Sequence, residues 1–135
     1  MSLRRRAREV ALQILFEDDV NPRNSGTELT DFLHGRLNNQ DGEDFALRIV
    51  LGVRQNCAAI DERLGEIAQN WSLKRMAGAD RNILRLAAYE VLHGETPRAV
   101  AINEAVELAK RFGSAQSSGF VNGILDKLPR QPAEA

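Results

Sequence analysis

A helical hydrophobic period recurs from one end of this chain to the other, with no strand pattern beside it. Apolar residues fall three and four apart, as on one face of an α-helix, and sustained alternation of β-branched or aromatic residues is missing. Ala7, Val10, Ala11, Ile14 and Leu15 mark a first helix expected over Leu3–Asp18, with Ser2 as its N-cap. Asn21-Pro22 and Ser25-Gly26 break the chain, and Thr27 is expected to cap a short helix carrying Leu29, Phe32, Leu33 and Leu37. Beyond the turn residues Asn38, Asn39, Asp41 and Gly42, a longer helix is expected from about Glu43, with apolar positions from Phe45 to Ile67 and a bend near Gly52 or Asn56.

Asn70-Trp71-Ser72 ends that run, and Ser72 is placed to cap one turn through Met76. Asp80 is the expected N-cap of a helix bearing Ile83, Leu84, Ala87, Ala88 and Val91. After Gly94 and Pro97, another helix carries Val100, Ala101, Ile102, Ala105, Leu108 and Phe112 and stops at Gly113. Ser114, Ser117 or Ser118 opens the last, with Phe120, Val121, Ile124, Leu125 and Leu128 before Pro129, and the tail from Arg130 is expected to be mobile. The expected class is all-α, with about seven helices in two packed subdomains of a single domain, divided at about residue 70.

Several function classes are disfavoured by residue types alone. A single cysteine, Cys57, excludes an intrachain disulfide and a CxxC knuckle, and it falls on an apolar stripe as a small core residue. His34 and His93 are too few and too separated for a histidine-based metal site, and no metal or cofactor is expected. There is no P-loop, HExxH, GxSxG or glycine-rich dinucleotide loop. Glu104 and Glu107, at i and i+3, read as a solvated helix face. No apolar run is long enough to span a membrane, and the acids Glu17, Asp18 and Asp19 follow the N-terminal arginines where a signal peptide would need apolar residues. A non-enzymatic, cytoplasmic protein is expected.

The net charge of −1 hides an asymmetry. Residues 1–8 carry +4, residues 9–70 carry −7 and residues 71–135 carry +2. Such a chain can bind an anion at one face and a basic partner at another. Arg4, Arg5, Arg6 and Arg8 are the most informative cluster. On a helix Arg4 and Arg8 stack at i, i+4 with Arg5 beside them, a forked array suited to phosphates and bases. Cations at a helix amino end oppose the macrodipole, a cost that a bound polyanion would offset. A merely solvated terminus is the other reading of the same charges.

Several segments closely resemble the NusB family of bacterial transcription antitermination factors: Asn70-Trp71-Ser72-Leu73, Asp80 through Glu90, Val100 through Gly113 and Phe120-Val121-Asn122-Gly123-Ile124-Leu125. The opening Arg5-Arg6-Ala7-Arg8-Glu9 with Ala11-Leu12-Gln13 is similar as well, whereas residues 21–69 match mainly in pattern. The resemblance implies a fold of seven helices in two subdomains. It implies binding to the boxA element of ribosomal RNA leader transcripts, partnership with NusE, a small-subunit ribosomal protein, and recruitment to elongating RNA polymerase. No catalytic residue is implied.

The implied RNA surface holds Arg4, Arg5, Arg6, Arg8, Lys110, Gln116, Ser117 and Phe120. Single-stranded bases can be splayed and stacked on aromatic or guanidinium planes, which suits Phe120; helical periodicity equally allows Phe120 a core place beside Ile124. Many relatives have a basic residue just before this phenylalanine and an acid nearer the loop, where this chain has Ser118-Gly119 and Gln116. The implied NusE surface holds Phe16, Glu17, Asp18 and Asp80, acidic against a basic partner, with Asp80 equally readable as a cap. Phe16 stands where tyrosine is frequent. Asn103, Asn122 and Trp71 read as structural residues, the two asparagines bonding each other or a neighbouring backbone, and Gly123 as a point of close helix approach. A homodimer covering the arginine face is compatible with the resemblance. Two competing readings are an enzyme module, since a NusB-like domain also occurs fused to RNA cytosine methyltransferases, and a protein-only scaffold with idle arginines.

Overall fold

The computed structural model describes residues 2–21, 26–69 and 72–129. The expectations placed on Pro22, Ser25, Asn70, Trp71 and the tail from Arg130 lie outside the described residues. Six α-helices and one short 3₁₀ turn, with no strand, make up the secondary structure of the described residues. They are α1 (Leu3–Asp18), α2 (Thr27–Leu37), α3 (Gln40–Ile67), α4 (Gly78–Leu92), α5 (Arg98–Phe112) and α6 (Ser117–Asp126), with the 3₁₀ turn at Leu73–Arg75 between α3 and α4. None of these helices is long and apolar enough to cross a membrane. The chain divides into two compact units, Met1–Gly52 and Val53–Ala135, with the boundary inside α3.

In the first unit, α1 spans the residues its periodicity predicts. The Ser2 side chain accepts from the Arg5 amide at 3.1 Å and so fixes the helix start. Its expected stripe of Ala7, Val10, Ala11, Ile14 and Leu15 is buried. α2 begins at Thr27 instead of being capped by it: Gly26, at φ 78, occupies the cap position, and the Thr30 hydroxyl donates to the Gly26 and Thr27 carbonyls. The left-handed Asn38 (φ 47) ends α2. The next turn is built by side chains. Asn39 Oδ1 accepts from the Gly42 amide at 3.1 Å, and the Glu43 carboxylate accepts from the Asn39 amide at 2.9 Å. This reciprocal pair resembles a capping box and starts α3 at Gln40, three residues earlier than expected.

In the second unit, α4, α5 and α6 pack on one another. Their core includes Ile83, Leu84, Leu86, Ala105, Leu108, Val121 and Leu125, all nearly or fully buried. Arg85 joins α4 to α3 by gripping both carboxylate oxygens of Asp61, at 2.8 and 2.9 Å, and also donates to Asn82 Oδ1. Cys57 is half-buried rather than a core residue, with its Sγ 3.8 Å from Asp61 Oδ2. The turn expected after Ser72 is the 3₁₀ segment: the Ser72 hydroxyl accepts from the Lys74 amide, and Arg81 donates to the Leu73 and Met76 carbonyls at its far end. Asp80 does not cap α4. Ala77 holds the cap position, and Asp80 is the third residue of the helix.

Candidate nucleic-acid interface

The Ser2 cap places the arginines on the first two turns of α1, where no acidic residue balances them in the opening turn. The Arg4 guanidinium carbon stands 4.4 Å from the centroid of Phe45, and that of Arg8 stands 5.0 Å from it. The i, i+4 spacing therefore does bring the two side chains together, on a shared aromatic ring. Their exposures differ. Arg4 is exposed, whereas Arg8 is only 4% accessible. The expectation that Arg8 lies on an open surface is thus corrected. The second turn of α1, Ala7 through Val10, is entirely buried, and Arg8 turns inward with it. Arg6 is about half-exposed in its side chain and pairs with Glu9 at 3.6 Å, and Arg5 is half-buried. The cationic surface of this helix end is consequently Arg4 and Arg6, with part of Arg5.

In the second unit, Gly113 ends α5 and a short turn leads into α6. Ser117 is not a loop residue offering its hydroxyl to a base. It is the first residue of α6 and 1% accessible, and its Oγ accepts from the Ser114 amide at 2.8 Å. The turn forces this close packing, since a Cβ on Gly113 would collide with the Ser117 side chain. Gln116, by contrast, is exposed at the N-cap of α6, and its side chain makes no capping bond. Lys110, exposed on the last turn of α5, pairs with Glu107 at 3.5 Å. Phe120 falls between its two readings: it is half-buried and forms part of the wall of a groove of about 580 Å³.

The last turn of α3 and the residues after it line the same groove, with Glu66, Ile67, Ala68 and Gln69. Gly119, Gly123 and Lys127 line the α6 side. Gly123 is exposed, with nothing within 4 Å of the place a Cβ would take, so it marks open space rather than close helix approach. Asn122 and Asn103 are likewise exposed.

The acidic residues form two separate local features. Phe16 is 47% accessible near the carboxyl end of α1, and Glu17 and Asp18 beside it are half-buried. On α4, Asp80 sits in the first turn, where a carboxylate complements the helix dipole. Its Oδ1 is nevertheless buried with no hydrogen-bond partner among the described residues. A desolvated carboxylate oxygen of this kind is costly to leave unbonded.

The NusB family model matches residues 5–130. The chain belongs to the NusB family. Transcription antitermination protein NusB of Sorangium cellulosum (strain So ce56) is 43% identical over 129 residues, covering 95% of this chain and 92% of that protein. The protein of the same name from Anaeromyxobacter sp. (strain Fw109-5) is 46% identical over 134 residues, covering 95% and 91%. Among solved structures, T. maritima NusB superposes with a TM-score of 0.84 at 36% identity, over 97% of this chain and 94% of that one. A structure of the antitermination factors NusB and NusE in complex with dsRNA has the same fold, with a TM-score of 0.83 at 24% identity over 95% and 96%. The all-helical expectation therefore holds, and the chain is a member of a family of transcription antitermination factors.

On this NusB fold three features had no sequence signal strong enough to single them out. Phe45 reads as an ordinary core position on the α3 stripe, yet it is the platform for Arg4 and Arg8. Arg98 reads as a surface charge after Pro97, yet its guanidinium donates to the carbonyl oxygens of Leu125, Asp126 and Leu128 and closes the carboxyl end of α6. The groove beside Phe120 joins residues far apart in the chain.

Proposed function

We propose that this chain is a non-enzymatic RNA-binding antitermination factor that acts on boxA RNA of ribosomal RNA leader transcripts together with NusE. The observation that carries the reading is the arginine cluster at the start of α1, with no acid in the first turn, Arg4 and Arg6 exposed and Arg4 held over Phe45. Guanidinium groups fixed by stacking meet phosphates and bases with less ordering cost than free ones. Phe120, Gln116 and Lys110 supply the second part of the RNA surface: an aromatic face, an amide and a cation. Arg8 acts behind this surface by holding Phe45 and leaves the contact set. Family membership supports the assignment, and one solved structure with this fold is of NusB and NusE in complex with dsRNA.

NusE docks on Phe16, Glu17, Asp18 and Asp80. Asp80, half-buried in the first turn of α4, adds a carboxylate that complements a basic partner. The assembled pair joins elongating RNA polymerase in the cytoplasm and suppresses premature termination.

The test is an anisotropy titration of boxA RNA against a scrambled sequence, with and without NusE, over several salt concentrations. Four contacting cations, Arg4, Arg5, Arg6 and Lys110, give a slope of log affinity on log salt of about −3, and Arg4→Ala with Arg6→Ala reduces its magnitude by about 1.4. Equal affinity of parent and double variant at every salt concentration would sink the assignment, and equal affinity for boxA and scrambled RNA would sink the boxA specificity.

A further inference from the structure

Between residues 9 and 52 the sequence carries nine acids and three arginines. One of the three, Arg36 in the last turn of α2, is exposed, yet its side chain is held in place. Its guanidinium carbon stands 4.7 Å from the centroid of the half-buried Phe32 ring, one turn back on the same helix. Its Nη1 donates to Oε1 of Gln13, on α1, at 3.0 Å. Its partners among the described residues are thus a ring and a neutral amide, with no carboxylate. A guanidinium has five N–H donors, and the amide takes one of them, so the positive charge and most of the fork are left for a ligand. Fixing the group in advance lowers the ordering cost of an anion contact. A tie between α1 and α2 calls only for a donor, whereas an exposed, immobilised and uncancelled cation suits an anion from outside.

Gln13 fixes where this cation lies. It stands seven residues beyond Arg6 on α1, so the two share one face of the helix, about 10 Å apart along its axis. Arg6 is exposed and belongs to the proposed RNA surface. No exposed acid of α1 separates them: Ala7 through Leu12 are all buried, and Glu9 among them pairs with Arg6. We propose that Arg36, steadied by Phe32 and Gln13, is a phosphate site for the backbone of single-stranded RNA running on from the arginines of α1. The inference rests on the RNA-binding reading above and extends it to residues that reading does not use. The free edge of the guanidinium donates to two oxygens of one phosphate. Such a contact lengthens the footprint and adds affinity without reading sequence. Continuity with Arg6 along one helix face favours a nucleic-acid strand over an acidic protein segment. Glu17, Asp18 and Asp19, which begin one turn past Gln13, repel a further phosphate and end the track there.

The experiment uses the full chain and boxA RNA, unextended or carrying a short uridine tract at its 5′ or its 3′ end. One of the two extensions is expected to tighten binding by the parent about threefold and to steepen the slope of log affinity on log salt by about 0.7, the share of one phosphate on a single strand. Arg36→Gln is expected to lose both gains and to bind unextended boxA as the parent does. Gln13→Glu supplies the missing carboxylate while keeping α1 tied to α2. It is expected to lose the same gains, relative to its own binding of unextended boxA, with an unchanged or raised Tm, so the test does not depend on how well Arg36→Gln folds. Arg36→Lys keeps the charge without the fork, and is expected to keep the salt effect and part of the affinity. A parent that gains nothing from either extension, or gains that survive in Arg36→Gln and Gln13→Glu, would overturn the site while the reading of the α1 arginines stands. A parent that binds no boxA RNA would overturn both. Variants that keep the gains and lose capture of NusE would assign Arg36 to a protein contact and overturn the phosphate.

Discussion

The Arg4 guanidinium lies over the ring of Phe45, its central carbon 4.4 Å from the ring centroid, with Arg8 at 5.0 Å from the same ring. A core phenylalanine thus serves as the seat for a surface cation. Phe45→Leu keeps most of the apolar volume and removes the aromatic face. It is expected to lower stability by about 1 kcal/mol and to weaken RNA binding about threefold, the value of one exposed cation–π contact. Thermal melts and anisotropy on the same preparation check both numbers, and an affinity unchanged by the substitution would leave Phe45 a packing residue only.

Asp61 and Arg85 form a two-pronged ion pair with side-chain exposures of 29% and 13%. Arg85→Met leaves the Asp61 carboxylate with fewer donors in a partly desolvated place. Stability is expected to fall by about 2 kcal/mol. A double-mutant cycle with Asp61→Asn should give a positive coupling energy, and additive losses would show that the pair is only solvent-screened decoration.

Two glycines near α6 should respond to alanine in opposite directions. Gly113→Ala drives a Cβ into Ser117 and the Ala109 carbonyl, and is expected to cost about 1–3 kcal/mol. Gly119→Ala meets nothing and removes unfolded-state freedom, so it is expected to stabilise by about 0.5–1 kcal/mol. Urea titrations resolve differences of this size. The same direction of change in both variants would contradict the close packing of the α5–α6 turn.

Arg98 closes α6 by donating to three carbonyl oxygens, at 2.6 Å for Leu128, 2.8 Å for Asp126 and 3.2 Å for Leu125. Helix carboxyl ends leave such acceptors without intrahelical partners. Arg98→Met is expected to cost about 2 kcal/mol and to speed hydrogen exchange first in α6, before α1 or α2. Uniform acceleration across all helices would mean that Arg98 supports global stability rather than this terminus.

Periodicity made the helices legible because each buries one face and repeats its apolar residues accordingly. The ends of α1, and the stop of α5 at Gly113, could be read because local signals agree with the stripe. Helix starts were harder where two polar residues compete. Thr27 and Asp80 both have good capping chemistry, yet the structure places Gly26 and Ala77 at those caps, and Asn39 with Glu43 opens α3 early. The candidate site was half legible. Charge counting finds the arginines but cannot tell that Arg8 is inside and Arg4 outside, since both occupy the same stripe one turn apart. The burial of Ser117, the openness at Gly123 and the reach of Arg98 to residues about thirty positions away depend on tertiary neighbours, which no local window contains.

The buried oxygen of Asp80, with no hydrogen-bond partner among the described residues, is a standing cost of the fold. Any substitution that removes this atom or supplies it with an internal donor makes the protein sturdier. A library screened only by survival of heat should therefore enrich replacements at position 80.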